Sequence, residues 1–198
     1  MHYHPGVGGP GDVERIKDIW QEHILTAQAL APLAPAVAEA VDLIATALEH
    51  DGRLFLAGNG GSAADAQHIA TELVGRFLRD RRPMAALALN ANGASSSAIG
   101  NDFGHEFVFA RELAALGRGG DVLLAISTSG NSPSILRAVD AARQRDMRVL
   151  GLTGESGGRL RAACDLCLCV PSAVTPRVQE MHITIGHTIC ELLEARLC

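Results

Sequence analysis

The order of apolar and polar residues divides this chain into alternating helices and strands. Segments 13–30 and 35–50 carry apolar residues at spacings of three and four, such as Ile16, Ile19 and Trp20, which predicts two amphipathic helices. Short runs that are apolar almost throughout come next, and they predict strands at 54–57, 85–89, 122–126, 149–152 and 166–170. Between and after them, further helices are expected at 63–77, 95–99, 106–116, 134–145 and 178–197.

Strands that are apolar on both sides are typical of a parallel sheet that helices cover on both faces. The chain is therefore predicted to be an α/β protein, with a doubly wound, five-stranded parallel sheet flanked by helices and two further helices at the N-terminus. Its strand order is expected to be 2-1-3-4-5, the common flavodoxin-like arrangement, in which ligands bind at the carboxyl ends of the strands.

Length and composition favour one domain. The 198 residues are 47% hydrophobic and 20% charged, enough to bury one core. Residues 1–11 are predicted to be a flexible tail and residues 12–198 a single domain. We found neither a secretory signal nor an uncharged stretch of the length that crosses a bilayer, which predicts a cytoplasmic protein. The net charge of -5 argues against nucleic acid or an anionic membrane as partner.

Two loops rich in glycine and serine, at 58–62 and 127–132, follow the first and third predicted strands. A buried strand that leads through small residues into a helix exposes amide N–H groups, hydroxyls and a helix N-terminus, all of which suit a phosphate group. In the order 2-1-3-4-5 the two loops lie side by side, so they are predicted to hold one phosphorylated ligand between them.

Ordinary turn chemistry is the alternative explanation for these loops, since glycine, serine and asparagine are common between a strand and a helix. It explains both loops less well, because four hydroxyl residues, Ser127, Thr128, Ser129 and Ser132, stand within six positions. Neither loop has the lysine of a Walker loop or the third glycine of a dinucleotide-binding loop. The pattern therefore favours a sugar phosphate over a nucleotide.

Acid–base residues form two groups on predicted helices. His68 and Glu72 are four residues apart and share one helical face, and Gln179, His182 and His187 lie on the apolar C-terminal helix. A single histidine on such a helix is more often structural than catalytic. Together, however, a carboxylate and a histidine can move a proton between adjacent carbons of a sugar, or hold Zn²⁺.

Three of the five cysteines, Cys164, Cys167 and Cys169, lie close together in the sequence. They suggest a metal knuckle, but no second cysteine or histidine pair follows at zinc-finger spacing. Cys167 and Cys169 are therefore expected to be small hydrophobic residues on one face of a buried strand.

These features together resemble the phosphoheptose isomerases of the sugar isomerase (SIS) domain family, from about residue 13 to the C-terminus. The matching motifs, in chain order, are 58–62 with Asp65, His68, Glu72 and Arg76, then 100–104, 120–132, 152–154 and 177–182 with His187. The resemblance implies that sedoheptulose 7-phosphate and D-glycero-D-manno-heptose 7-phosphate are interconverted through an enediol, as the first step towards nucleotide-activated heptose.

Carried over position by position, the resemblance makes Glu72 the general base and His187 its acid–base partner. It implies one Zn²⁺ per subunit, bound by His68, Glu72, Gln179 and His187. The implied substrate-binding residues are Asn59, Gly60, Gly61, Ser62, Arg76, Asn101, Asp102, Ser127, Thr128, Ser129, Ser132 and Gln179. It also implies a homotetramer with its sites close to subunit boundaries.

The spacing of Gln179 and His187 tests that ligand set. Eight residues correspond to about 12 Å along a straight helix, so one ion could touch both only from midway between them. Otherwise one of them reaches a neighbouring subunit's site, or the helix bends. Pro176 is a further departure, because a polar or acidic residue is expected near it in many relatives.

Two alternatives to this function remain at this point. Residues 62–68 and 179–182 also resemble the tetrameric SIS protein that binds the DnaA replication initiator without catalysis. The family resemblance implies that this activator lacks counterparts of Glu72 and His187, and both are present here, which favours an enzyme. An isomerase that acts on another sugar phosphate is the second alternative.

Overall fold

The fold is a five-stranded, wholly parallel sheet with the strand order β2-β1-β3-β4-β5, seen in a computed structural model that describes residues 10–198. Its strands are β1 Leu54–Ala57, β2 Ala86–Ala88, β3 Val122–Ile126, β4 Arg148–Thr153 and β5 Leu166–Cys169. The predicted fold class and the flavodoxin-like order are confirmed.

Eight α-helices are described in residues 10–198, and two short 3₁₀ turns accompany them at Ala31–Leu33 and His105–Phe107. The helices are α1 Pro10–Gln28, α2 Ala34–Glu49, α3 Gly61–Val74, α4 Gly93–Phe103, α5 Val108–Leu116, α6 Pro133–Arg143, α7 Gly158–Ala163 and α8 Thr175–Leu197. Sequence reasoning missed α7, whose six residues bury only Leu160 and so show no helical periodicity. Helix α4 is longer than predicted because the Asn92 side chain caps it by accepting the N–H of Ser95.

Side chains that alternate along the strands build one core on each face of the sheet. From β1, Leu54 and Leu56 enter the core that α2, α3 and α8 cover, whereas Phe55 and Ala57 enter the core beneath α5 and α6. The catalytic candidates on α3 and α8 therefore belong to neighbouring helices on one face of the sheet.

Helix α1 begins at Pro10, whereas the predicted tail ends at residue 11; residues 1–9 of that tail lie outside the described residues. Polar contacts hold helix α1 against α8. Arg177 donates to the carbonyl oxygen of Ile19 at 2.6 Å, and His23 pairs with Glu180 at 2.8 Å.

The helical segment Gly11–Glu49 is long and apolar enough to cross a membrane, with a mean hydropathy of 1.4. Sequence reasoning did not predict this feature, because it considered only uncharged stretches. A core helix of a folded protein passes the same test. Within α2, Val41 and Ile44 are fully buried against the sheet.

Candidate active site

The two glycine- and serine-rich loops meet at the carboxyl edge of the sheet. Because β1 and β3 pair in register, with Ala57 opposite Ala125, the loops that follow them emerge side by side. The Asn59 amide joins the loops by donating to the hydroxyl oxygens of Ser132 and Ser134, each at 2.9 Å. The structure thus brings together the two loops that the sequence singled out.

The loop at 127–132 is fixed by the segment that leads into α7. Gly154 donates its N–H to the carbonyl oxygen of Thr128, and Leu160 donates to that of Gly130. Gly130 has a φ of +65°, and a Cβ on it would lie 2.1 Å from the carbonyl oxygen of Gly157. Only glycine fits there, and the two backbone hydrogen bonds hold the loop in the conformation it presents.

Within this loop, the hydroxyl residues differ in exposure. Ser127 is buried, Thr128 is half-buried and Ser129 is exposed, with its hydroxyl accepting the N–H of Asn131. Sequence reasoning missed Ser134, a buried residue in the first turn of α6 that shares the Asn59 amide with Ser132. The sequence feature that could have indicated Ser134 is its place directly after Pro133, in the first turn of the helix that follows the loop.

Three acid–base side chains converge from α3 and α8. The Nε2 atom of His68 lies 3.2 Å from Oε1 of Glu72 and 3.0 Å from Nε2 of His187. One possible ligand atom from each of the three residues lies within 4.8 Å of the other two. His68 is exposed, whereas Glu72 and His187 are half-buried, so the cluster lies at the surface of this subunit.

The close approach of α3 and α8 explains this convergence. A Cβ on Gly186 would lie 2.5 Å from Cδ1 of Ile69, so the glycine allows the helices to pack closely at that point. His187 and His68 are the immediate chain neighbours of these two residues and meet as a result.

Gln179, the fourth ligand of the predicted zinc set, lies elsewhere on α8. Its amide nitrogen is 2.5 Å from the position of a Cβ on Gly61, at the start of α3 and beside the first loop. Along a helix the distance from Gln179 to His187 is about 12 Å. Within this subunit, therefore, His68, Glu72 and His187 are together, whereas Gln179 lies against Gly61 in the loop 58–62.

Of the other candidates, Ser62 is buried in the first turn of α3, whereas three are exposed. Arg76 follows α3, and Asn101 and Asp102 lie near the end of α4, where their side chains bond to each other at 2.8 Å. In residues 10–198 no hydrogen bond or ion pair connects these three residues with His68, Glu72 or His187.

The donor set suits a zinc ion. Tetrahedral Zn²⁺, with bonds of about 2.0–2.1 Å to nitrogen and oxygen, holds its ligand atoms about 3.3 Å apart. The separations of 3.0 and 3.2 Å around His68 Nε2 are close to that value. Two imidazoles and a carboxylate also form a typical catalytic zinc set, which keeps one position open.

A buried ion pair holds the end of α3 against α8. The carboxylate of Glu194 accepts the N–H groups of Phe77, Leu78 and Arg79, and it accepts Nε of Arg81 at 2.9 Å. Arg81 in turn donates to the carbonyl oxygens of Glu72 and Leu73, each at 2.7 Å. The side chains of Arg81 and Glu194 are only 2–3% exposed. Their pairing therefore fixes the turn that follows α3, two residues beyond Glu72.

The electrostatics of Glu194 and two other groups follow from their surroundings. Burial alone would raise the pKa of Glu194, but its three amide donors and Arg81 outweigh that effect and lower the pKa. Burial lowers the pKa of His182 to about 4, so this candidate is a neutral histidine in the core. Burial raises the pKa of Asp65, and His68, one turn further along α3, opposes that rise.

Several known proteins are similar to this chain. A family model of the SIS domain matches residues 22–154. The phosphoheptose isomerase of Rhodospirillum rubrum is 50% identical over 169 residues, which cover 85% of this chain and 90% of that protein. That of Helicobacter hepaticus is 45% identical over 180 residues, with 91% and 92% covered.

Solved structures are similarly close. The phosphoheptose isomerase GmhA of Neisseria gonorrhoeae superimposes with a TM-score of 0.88 at 42% identity, over 92% of this chain and 98% of that one. A phosphoheptose isomerase from Francisella tularensis gives a TM-score of 0.89 at 36% identity, over 92% and 97%.

Proposed function

This chain belongs to the phosphoheptose isomerases, a family built on the SIS domain, and we propose that it interconverts sedoheptulose 7-phosphate and D-glycero-D-manno-heptose 7-phosphate. It is an isomerase whose substrate is a sugar phosphate. The observation that carries the proposal is the convergence of Glu72, His68 and His187 between α3 and α8, where α3 begins directly in the loop 58–62 that Asn59 joins to the loop 127–132.

The phosphate end of the substrate is assigned to the paired loops. Their exposed amide groups, the hydroxyls of Ser129 and Ser132, and the N-termini of α3 and α6 all favour a dianion. Asn59 keeps the loops at a fixed separation through Ser132 and Ser134, so the ligand meets a preformed cradle. A preformed cradle lowers the ordering cost of binding.

The isomerisation requires a proton to leave one carbon and return to its neighbour, while a second proton moves between the two oxygens. Glu72 is assigned the carbon-bound proton, because its carboxylate faces the cluster from α3. His187, from α8, is assigned the oxygen-bound proton. The anchor of Arg81 and Glu194 keeps the backbone at Glu72 in place during these transfers.

A zinc ion is proposed for the same cluster, held by His68, Glu72 and His187 before substrate binds. Because coordination lowers the basicity of a ligand, Glu72 and His187 would take up protons only when they are released from the ion. When bound, it would supply a Lewis acid that stabilises negative charge on oxygen. Gln179 is proposed to face the substrate beside Gly61 or to complete the ligand set of another subunit, since it lies two helical turns before His187.

We also propose that the chain forms a homotetramer and that it acts in the cytoplasm. Helix α1 exposes a stripe of large apolar residues at helical spacing, formed by Val13, Ile16, Trp20 and Ile24, with Trp20 65% exposed. A stripe of that kind is suited to packing against another copy of the chain.

The test is direct turnover. Purified chain is incubated with sedoheptulose 7-phosphate, and the aldose product is followed by chromatography and mass spectrometry, with fructose 6-phosphate and ribulose 5-phosphate as competing substrates. We expect kcat/KM to be highest for the heptulose. Higher kcat/KM for either shorter sugar would overturn the substrate assignment and favour an isomerase of another sugar phosphate. No turnover of any of the three by zinc-loaded protein would favour the non-catalytic, initiator-binding alternative.

A further inference from the structure

Three half-buried thiols gather at the β5 edge of the sheet, away from the acid–base cluster. Cys164 follows α7, and Cys167 and Cys169 project from one face of β5. The expectation that the last two are buried hydrophobic residues is wrong: all three thiols are partly accessible, because β5 is an edge strand with only Leu168 buried.

Cys167 is at the centre of this group. The Cys169 thiol donates to the Cys167 sulfur at 3.8 Å, and the Thr153 hydroxyl lies 3.9 Å from that sulfur. On the neighbouring strand, Gly151 is the register partner of Cys167. A Cβ on Gly151 would lie 2.6 Å from the Cys164 sulfur and 2.9 Å from the Cys167 sulfur, so both occupy the space that the missing side chain leaves.

The surroundings divide the roles of the thiols. The neighbouring Cys164 thiol favours the Cys167 thiolate; burial opposes it, and Thr153, Cys169 and the Arg161 charge add further support, so the pKa of Cys167 falls to about 6. The Cys167 sulfur and burial raise the pKa of Cys164. Because the thiolate is the nucleophilic form, Cys167, which accepts the Cys169 thiol and lies 3.9 Å from the Thr153 hydroxyl, is the residue that attacks first.

We propose that Cys167 is a peroxide-reactive nucleophile and that Cys164 is its resolving thiol, so that hydroperoxides convert the pair into a disulfide. The Cys167 sulfur attacks one peroxide oxygen, the O–O bond breaks, and the other oxygen leaves as water or an alcohol after taking a proton. Cys164 then attacks the sulfenic acid on Cys167, the S–O bond breaks, and water leaves. Two thiols are oxidised to one disulfide and one hydroperoxide is reduced.

This site is independent of the isomerase assignment, since it shares no side chain with His68, Glu72 or His187. The neighbouring thiols provide internal comparisons. Cys190 is fully buried and burial raises its pKa to about 12, so it should stay reduced. Cys198 is exposed at the C-terminus and could join two chains, so the test uses the Cys198→Ser background.

Purified Cys198→Ser protein is treated with hydrogen peroxide at a small molar excess near pH 7, and its peptides are mapped without reduction. We expect a loss of two hydrogens, a Cys164–Cys167 cross-link, and free Cys190. Adding Cys164→Ser should abolish the cross-link and leave a sulfenic acid on Cys167 that dimedone traps, whereas adding Cys167→Ser should abolish both products. Adding Cys169→Ala should leave the cross-link intact.

Three results would overturn the proposal: a cross-link between Cys167 and Cys169, dimedone labelling of Cys164 before Cys167, or full retention of free thiols at a dose that oxidises free cysteine. Circular dichroism of each variant confirms that loss of the cross-link does not reflect loss of the fold. A second oxidation series in the presence of saturating phosphate should give the same disulfide yield, because the loops and the thiols are separate sites.

Discussion

His187 Nε2 lies 3.0 Å from His68 Nε2, although 119 residues separate the two histidines in the chain. Neither residue is distinctive in isolation, since histidines on apolar helices are commonly structural. Their meeting depends on Gly186 and Ile69, which let α8 approach α3, and it places a third group, Glu72, within reach of both. The predictions concerning activity start from this contact.

Glu72→Gln should lower kcat by at least about 100-fold, because a positioned general base contributes about 10²–10⁴ to the rate. The change is nearly isosteric and replaces a carboxylate, which accepts a proton and is a proposed zinc ligand, with a neutral amide, so the fold and phosphate affinity should persist. Steady-state kinetics, with calorimetry for inorganic phosphate, checks both. Glu49→Gln, an exposed glutamate at the end of α2, is the matched control. Wild-type turnover by the Glu72 variant would remove this residue from the base role.

His68→Ala should reduce bound zinc from one ion per subunit to well below that value, since the imidazole is one of three proposed ligands. Elemental analysis after dialysis measures the ion, and activity after chelation and zinc restoration measures its need. His50→Ala removes an exposed histidine at the C-terminal end of α2 and should change neither quantity. Full activity in zinc-free wild-type protein would leave Glu72 and His187 as a purely organic acid–base pair.

The sequence was sufficient for the sheet because each strand is a short run that is apolar almost throughout, and most of these runs have polar, glycine or proline residues at both ends. The bounds of β1 and β3 were predicted to the residue, and the loops after them are the two that Asn59 connects. Helix α7 was missed because local periodicity cannot show a six-residue helix that is held by contacts to Gly130 and Asn131.

Contacts between side chains that are distant in sequence also could not be predicted. Arg81 looks like one of many surface arginines in a polar loop, and Glu194 like a charge on the outer face of the last helix. Only the tertiary fold buries them together, 113 residues apart. Likewise, the sequence could list Gln179 and His187 as ligands by resemblance, but only the packing of α3 against α8 shows that His187 meets His68 while Gln179 lies against Gly61.

Ser132→Ala should weaken binding of both sugar phosphate and inorganic phosphate by about 10-fold or more, since a hydrogen bond to a charged group contributes about 1.5–3 kcal/mol. Its hydroxyl lies at the junction of the two loops, 2.9 Å from the Asn59 amide. Calorimetry measures the affinities, and Thr46→Val, which removes an exposed hydroxyl from α2, is the control. Unchanged phosphate affinity would make Ser132 a turn residue only.

Trp20→Glu should shift the chain from a tetramer to smaller species, because it places a charge in the apolar stripe of α1. Sedimentation velocity at micromolar concentration measures the distribution. Gln21→Glu adds the same charge at the next position, outside the stripe, and should leave the distribution unchanged. Wild-type protein that sediments as a monomer would contradict the proposed assembly itself.

Glu194→Gln should lower the free energy of unfolding by about 3–5 kcal/mol at pH 7, because it leaves Arg81 buried without its counter-charge. Chemical denaturation measures the loss, and Glu191→Gln, an exposed glutamate three residues earlier on α8, should cost far less. Because the anchor also holds the backbone of Glu72, we expect kcat to fall in the Glu194 variant while phosphate affinity is retained.

The pH dependence separates this ion pair from a purely steric role of residue 194. The pKa of Glu194 is lower in the folded protein than in the unfolded chain, where it is about 4.3, so the unfolded state binds the proton first. The stabilisation is therefore fully present above about pH 5 and is lost as the pH falls through 4.3 towards the folded pKa. The difference in unfolding free energy between wild type and Glu194→Gln should be constant from pH 7 to about 5.5 and shrink below about 4. A difference that does not change with pH would mean that the carboxylate charge of Glu194 is not what holds the turn after Glu72.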